Sequence, residues 1–252
     1  PLELLVLGAF RYLGRGWTFD DLEESTAISR EVHRSFFHQF ICVGSKILYP
    51  RYVVCPITAE DAASHLSEFC RAGFHGCIAS SDATHIVVEK CSYRLRQNHL
   101  GGQTSLTTRT FNLTVNHRCQ ILSSTQGYPG RWNDKTLVLF DDFVRGINEG
   151  KVMPDVSFCL KEKNRQGQIV DVPYRGPWII VDNGYLNWST TIPPLKTTAD
   201  IKEIRWSQWL ESMRKDVECT FGIMKGRWRI LKTGIRCHGV AVADDIWRTC
   251  CA

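Results

Sequence analysis

The first forty residues carry apolar side chains at helical spacing, broken by short polar turns. A leucine stripe that begins at Leu4 is interrupted at Gly14. Thr18 then stands as the N-cap of a second helix, with Asp21 three residues later where a capping box places an acid. After a short turn, Ser29 is typical of the cap of a third helix. The pattern predicts a small all-α region at this end of the chain.

Two helices joined by a tight turn are typical of a helix-turn-helix. In that interpretation Arg30, His33 and Arg34 lie at the start of the second helix of the motif, where base-reading side chains stand. Two packed helices of a plain bundle explain the same pattern. The sequence leaves both interpretations open.

Short strands follow further along the chain. Residues 76–82 form an apolar run that 86–88 continues, and 178–181 form a second buried run. Residues 109–117 alternate apolar and polar side chains, which predicts a half-buried strand. Residues 118–126 are expected to be its antiparallel partner.

Helical patterns separate these strands. We expect helices over 58–69 and 133–147, a polar loop over 93–108, a hairpin turn at 166–168, and a long helix starting after Ala199. Strands interleaved with helices predict an α/β fold, with a mixed sheet flanked by helices behind the all-α region.

Three acidic residues stand where these elements end or face the core. Asp82 and Asp182 close apolar strands, and Glu218 lies on the last amphipathic helix, one turn after Arg214. We expect Arg214 to orient or shield Glu218. Carboxylates brought together at a sheet edge hold divalent ions, and such ions cleave phosphodiesters. Most of the 26 acids of a chain like this are solvated surface, which is the competing interpretation.

Composition narrows the class of protein only slightly. The chain is 43% apolar and 23% charged, as ordinary globular proteins are, and no apolar run approaches the roughly 20 residues of a membrane helix. Its eleven cysteines are scattered without a Cys-x-x-Cys pair, which favours reduced core thiols over a structural zinc site.

The charge is concentrated near the end of the chain. The net charge is +5, and residues 205–236 alone hold eight basic against three acidic side chains. With Trp228 and Ile230 among them, this stretch fits a polyanionic partner. A solvated helix face with a basic tail fits equally well.

Four stretches of the chain resemble the PIF/Harbinger family of DDE transposases and their domesticated nuclease relatives. They are residues 76–86, 127–134, 181–185 and 214–231. The last stretch is long and specific, whereas the match of the N-terminal helices to the helix-turn-helix region of the family is loose. Ser81 and Val181 depart from the residues that this family usually has before its two aspartates.

The resemblance implies an RNase H-like fold in which Asp82, Asp182 and Glu218 are both metal ligands and catalytic residues, with Mg²⁺ or Mn²⁺ as the cofactor. It implies supporting roles beside them for Asp134, His85 and Thr84. With the basic stretch it makes DNA the expected partner. Phosphate contacts are then expected from Arg94, Arg96, Arg109, Lys225, Arg227 and Arg229.

The same resemblance implies four regions. They are a helix-turn-helix-like DNA-binding region over 1–57, a connecting helix over 58–72, an RNase H-like nuclease core over 73–235, and a truncated C-terminal helix over 236–252. The expected function is metal-dependent cleavage of DNA, with strand joining, as in a transposase. The alternatives are a domesticated, catalytically silent DNA-binding protein and an interaction protein with no nucleic-acid role. A Myb-like partner protein, a homo-oligomer and a nuclear location are further expectations.

Overall fold

Three helices open the chain of the computed structural model, which describes residues 1–101 and 105–252. Gly16 ends the first helix in the left-handed conformation (φ 72°), which glycine adopts without strain. Thr18 and Asp21 exchange both hydrogen bonds of a capping box, as the sequence predicts. The bounds are α1 (Leu2–Arg15), α2 (Phe19–Thr26) and α3 (Arg30–Val43).

The later helices flank a sheet. They are a π-helical turn (Gly44–Leu48), α4 (Tyr49–Tyr52), α5 (Ala63–Arg71), α6 (Tyr93–His99), α7 (Asp134–Val138), α8 (Asp142–Asn148), α9 (Ile201–Arg227), α10 (Arg229–Thr233) and α11 (Val240–Cys251). The Asp200 side chain caps α9 by accepting from the Lys202 N–H. No helix in the described part of the chain is long and apolar enough to cross a membrane.

The described residues form eight strands. They are β1 (Cys77–Val87), β2 (Thr108–Val115), β3 (Ile121–Ser124), β4 (Tyr128–Pro129), β5 (Ser157–Lys163), β6 (Ile169–Arg175), β7 (Trp178–Ile180) and β8 (Thr191–Ile192). The main sheet has the strand order β3-β2-β1-β7-β8, with the short β4 paired to β2, and β5 and β6 form a separate hairpin. Strands β1, β2 and β3 run antiparallel, whereas β7 and β8 are parallel to β1. This mixed sheet with helices on its faces is the predicted α/β fold, and it is RNase H-like.

Strand β2 differs from its prediction. Its alternating pattern predicts one face in water, but all eight residues are buried. Helices cover both faces of the sheet, so the polar face of β2 packs inside the protein. Its polar side chains therefore need internal hydrogen-bond partners.

The structure differs from the sequence-based prediction in three further segments. The segment expected as a polar loop over 93–108 contains α6, and residues 102–104 of it lie outside the described residues. The helix expected over 133–147 is two helices, because Asp141 caps a new helix with its side chain. The helix expected from Thr58 starts only at Ala63.

The helices at both ends of the chain share one core with the sheet. Leu13, Phe37, Phe111, Val217 and Trp247 belong to a single buried cluster. Trp247 of α11 stacks on Phe111 of β2 with ring centroids 4.5 Å apart. The N-terminal helices and the sheet are therefore joined by a continuous hydrophobic interior.

Candidate functional site

Two aspartates stand where the parallel pairing of β1 with β7 ends. Asp182 follows the end of β7, whereas Asp82 lies within β1, which continues to Val87, so the prediction that Asp82 closes its strand is wrong. Ser80 of β1 pairs with Ile180 of β7, and Asp82 and Asp182 each follow two residues later. Adjacent strands lie about 4.8 Å apart, so the register brings the two carboxylates to the same edge of the sheet. The carboxyl ends of parallel strands are where α/β proteins hold their sites.

Asp82 is subject to opposing influences. Burial, followed by the charges of Asp182 and Asp134, raises the pKa of Asp82 to about 6, although the N–H of Ala83 and the charge of Arg214 act in the lowering direction. The Ala83 N–H donates to Oδ1 of Asp82 over 2.8 Å. Removal of this carboxylate from water is thus the main cause of its raised pKa, and the two neighbouring acids add to it.

Asp134 and Asp182 approach each other across Gly184. A Cβ added to Gly184 would lie 2.6 Å from Oδ2 of Asp134 and 3.0 Å from Oδ1 of Asp182. The N–H of Gly184 donates to that same Oδ1 of Asp182 over 2.8 Å. Burial, followed by the charge of Asp182, raises the pKa of Asp134. The resemblance implies a supporting role for Asp134, but its carboxylate lies directly at the turn that carries Asp182 and Gly184.

Glu218 reaches this group through an arginine. Arg214 of α9 donates from Nη1 to Oδ2 of Asp82 over 3.0 Å and from Nη2 to Oε1 of Glu218 over 2.6 Å. Its Nε donates to Glu211 over 3.0 Å. The Arg214 side chain is only 12% exposed, against 48% for Glu218. The guanidinium therefore lies between the acid of β1 and the acid of α9.

Because of this arrangement, the predicted carboxylates do not form one cluster. Among residues 1–101 and 105–252, no three His, Cys, Asp or Glu side chains form a group that could hold a metal ion. Asp82, Asp134 and Asp182 influence one another through their charges, and Glu218 joins them through Arg214.

Thr84 and His85 lie further along β1. Thr84 is on the same face of the strand as Asp82, and its Oγ1 accepts from Nζ of Lys225 over 2.8 Å. His85 points to the other face and bonds Oγ1 of Thr110 over 3.0 Å. Burial, followed by the charge of Lys225, lowers the pKa of His85. Burial also lowers the pKa of Lys225, one of the expected phosphate contacts.

A buried polar network behind β1 was missed by sequence reasoning. Asn112 donates from Nδ2 to Oδ2 of Asp141 over 2.6 Å and to Oγ of Ser81 over 3.0 Å, and it accepts from the Tyr185 hydroxyl. The network ties the residue before Asp82 to the third residue after Asp182. Asn112 is one of the polar positions of the alternating pattern, which the prediction of a half-buried strand assigns to water.

Two expected DNA contacts are corrected by their burial. His33 is 2% exposed, packs against Gly8 and bonds Oγ1 of Thr26 over 2.8 Å, so it supports the helix packing. Arg109 is 6% exposed and holds both oxygens of Asp244 at 2.8 and 2.7 Å. Neither side chain is available to meet DNA in this arrangement.

The other basic candidates are at the surface. Arg30 pairs with Asp20 over 2.9 Å, and Arg34 pairs with Glu31 over 3.1 Å. Such exposed pairs contribute little to stability, so they cost little to exchange for a phosphate. The remaining exposed candidates are Arg94 and Arg96 on α6 and Arg227 and Arg229 near the end of α9.

Comparison with known proteins places this chain in a family. The model of a family described as DDE superfamily endonuclease matches residues 81–252, more than half of the chain. No curated protein and no solved structure matches the chain. The matched range includes Asp82, Asp182 and Glu218. The chain therefore belongs to the DDE superfamily endonucleases.

Proposed function

We propose that this chain is a divalent-metal-dependent DNA endonuclease of the transposase type, of the PIF/Harbinger subtype, which hydrolyses phosphodiester bonds and joins strands. The observation that supports this most strongly is the register of β1 and β7, which brings Asp82 and Asp182 to one sheet edge. Glu218 is linked to that edge through Arg214.

The proposed cofactor is Mg²⁺ or Mn²⁺, held by Asp82, Asp182 and Glu218. DDE superfamily endonucleases generally use divalent metals. Hard carboxylate oxygens are the donors that these ions prefer, so the chemistry of the donor set fits. The packing does not yet fit, because the Arg214 guanidinium lies between two of the three acids. When bound, such an ion lowers the pKa of an attacking water and stabilises the leaving oxygen.

In this proposal, the Arg214 guanidinium would be replaced by the metal ion as the positive partner of Asp82. Arg214, which holds both Asp82 and Glu211, would have to release Asp82 and keep Glu211, and this would free one carboxylate oxygen for the ion. Asp134 stays beside Asp182 and adds negative charge to the same edge. Thr84 and Lys225 hold each other further along β1, where Lys225 would meet a DNA phosphate.

The proposed DNA-contacting surface excludes the two buried candidates. It keeps the basic side chains that are exposed, together with Lys225. They are Arg30, Arg34, Arg94, Arg96, Lys225, Arg227 and Arg229.

Nicking of supercoiled plasmid DNA tests the proposed function. We expect Asp182→Asn to reduce Mg²⁺- or Mn²⁺-dependent nicking by at least about 100-fold, because it removes one anionic donor from the site. Asp171→Asn is the matched control, since Asp171 lies on the exposed β5–β6 hairpin. We expect the control to nick like the wild type and both variants to keep the wild-type melting temperature. Equal nicking by the wild type and Asp182→Asn would refute the site.

A catalytically silent DNA-binding protein is the second candidate. The observation that favours it is the Arg214 contact, which neutralises Asp82 and Glu218 without a metal. DNA binding by a wild-type chain that does not nick with either ion would favour this candidate over the nuclease.

Regions, partners and location stay proposals that rest on the resemblance. We propose DNA binding by residues 1–57, a connecting helix over 58–72, a nuclease core over 73–235 and a C-terminal helix over 236–252. A Myb-like partner protein, a homo-oligomer and a nuclear location belong to the same proposal.

A further inference from the structure

A cavity of about 420 Å³ lies where the N-terminal helices meet the segments that follow β1 and α10. Basic side chains from three parts of the chain line it. They are Arg34 and His38 of α3, Lys90 after β1, and Arg236 and His238 after α10.

The side chains that line this cavity carry a net positive formal charge, although Arg34 also pairs with Glu31 over 3.1 Å at the surface. Asp20 is the single acid among its lining residues, and its carboxylate already pairs with Arg30 over 2.9 Å. Arg236 donates to the Gly16 carbonyl over 2.6 Å, which is a neutral acceptor. Within the described ranges, neither Lys90 nor Arg236 has a carboxylate partner at ion-pair distance. A site of this composition attracts an anion.

The aromatic walls favour a phosphate over a base. Tyr12 and Phe19 stack on each other with ring centroids 4.5 Å apart. Arg34 covers Phe19 at 5.7 Å, and Arg236 covers Tyr12 at 6.0 Å. Because the ring faces are already occupied, a nucleobase has no free surface on which to stack. The guanidinium and ammonium groups remain available to oxygen ligands.

A path of cations connects the carboxylates to this cavity. Strand β1 extends from Asp82 towards Lys90, a span of roughly 25 Å at the rise of a strand. Lys225 lies beside this strand at Thr84. A Cβ added to Gly16 would lie 3.6 Å from Arg229 and 3.8 Å from Arg236, so those two arginines are neighbours. About seven base pairs of DNA cover the same span.

We propose that this cavity binds backbone phosphates of the DNA that flanks the cleaved bond, about seven base pairs from it. The proposal rests on the proposed function, because DNA is its substrate there. It adds Lys90, Arg236, His38 and His238 to the DNA-contacting residues, and it gives Arg34 a phosphate contact.

The salt dependence of DNA affinity tests this proposal. Fluorescence anisotropy with a labelled duplex, repeated over a series of salt concentrations, measures how many phosphates the protein neutralises. We expect the double variant Lys90→Gln, Arg34→Gln to make the slope of log affinity against log salt shallower by about 2. Both side chains are exposed, so the fold should tolerate the change.

Two control proteins are matched to this variant. Lys46→Gln, Arg51→Gln removes the same charge from exposed residues beyond the far end of α3, and we expect it to keep the wild-type slope. Lys90→Arg, Arg34→Lys keeps the charge, and we expect it to keep the slope as well.

The outcomes separate this proposal from the proposed function. If the wild type nicks DNA but the cavity variant has the same slope as the Lys46 and Arg51 control, the cavity proposal is wrong and the nuclease stands. If the slope changes as expected but no protein nicks DNA, the cavity binds DNA phosphates, but the nuclease and the position of the cavity relative to a cleaved bond are wrong. Tripolyphosphate that raises the melting temperature of the wild type but not of the cavity variant, with no difference in DNA slope, would assign the cavity to a free phosphate ligand and overturn the DNA proposal.

Discussion

Asp82 is the residue of the site on which opposing electrostatic influences act most clearly. Its carboxylate is removed from water and faces two other acids, yet Arg214 and the N–H of Ala83 favour its charged form. A pKa raised to about 6 means that the unfavourable influences are larger. Without a metal ion, the charged form of Asp82 therefore lowers the free energy of unfolding of the protein.

Asp82 should make the free energy of unfolding depend on pH. The pKa of Asp82 is about 6 in the folded chain and 3.8 as an ordinary aspartate, so the folded state binds the proton more tightly. The resulting stabilisation is present below about pH 4 and is lost as the pH rises through 6. We compare the free energy of unfolding of Asp82→Asn with that of the wild type. From pH 4 to pH 7, we expect this difference to shift in favour of the variant by roughly 2–3 kcal/mol.

Urea unfolding of both proteins across this pH range, without divalent metal, measures the difference. Asp171→Asn serves as the control, because Asp171 lies exposed on the β5–β6 hairpin. A stability difference between Asp82→Asn and the wild type that is the same at every pH would contradict the buried, crowded environment of Asp82.

At the scale of the element, the turn after β7 depends on the absence of a side chain at Gly184. Asp134 and Asp182 both approach the point that a Cβ would occupy there. We expect Gly184→Ala to push these carboxylates apart and to weaken Mn²⁺ binding and plasmid nicking by about 10- to 100-fold. Isothermal titration with Mn²⁺ measures the binding separately from activity.

Gly222→Ala is the matched control for this change. Gly222 lies on α9 with nothing within 4 Å of its added Cβ, so alanine there should leave Mn²⁺ affinity unchanged. Mn²⁺ affinity that is equal in Gly184→Ala and Gly222→Ala would remove the Asp134–Asp182 approach from the account.

Elements with a local cause could be predicted from the sequence. The capping box of Thr18 and Asp21, the hairpin at 166–168 and the helix after Ala199 follow from nearby residues, and the structure has all three. Burial of β2 could not be predicted in this way, because it depends on helices distant in sequence. The role of Asn112 was missed for the same reason.

At the scale of the whole molecule, Asp82 and Asp182 reach one edge of the sheet because distant parts of the chain pack together. The sequence identified Asp82, Asp182 and Glu218 through their settings, and the structure brings the first two to one edge. The position of Arg214 between Asp82 and Glu218 could not be predicted from the sequence, since that contact depends on how α9 crosses β1. The shared core likewise links α1 and α3 to the sheet, so the cavity keeps a fixed relation to the carboxylates.

The most direct test of the central claim is an anomalous diffraction map from crystals of the protein grown with Mn²⁺. We expect a strong peak between the carboxylates of Asp82 and Asp182, with the Arg214 guanidinium moved away from Asp82. Crystals in saturating Mn²⁺ with no peak at these two carboxylates, and with Arg214 still bonded to Asp82, would contradict it.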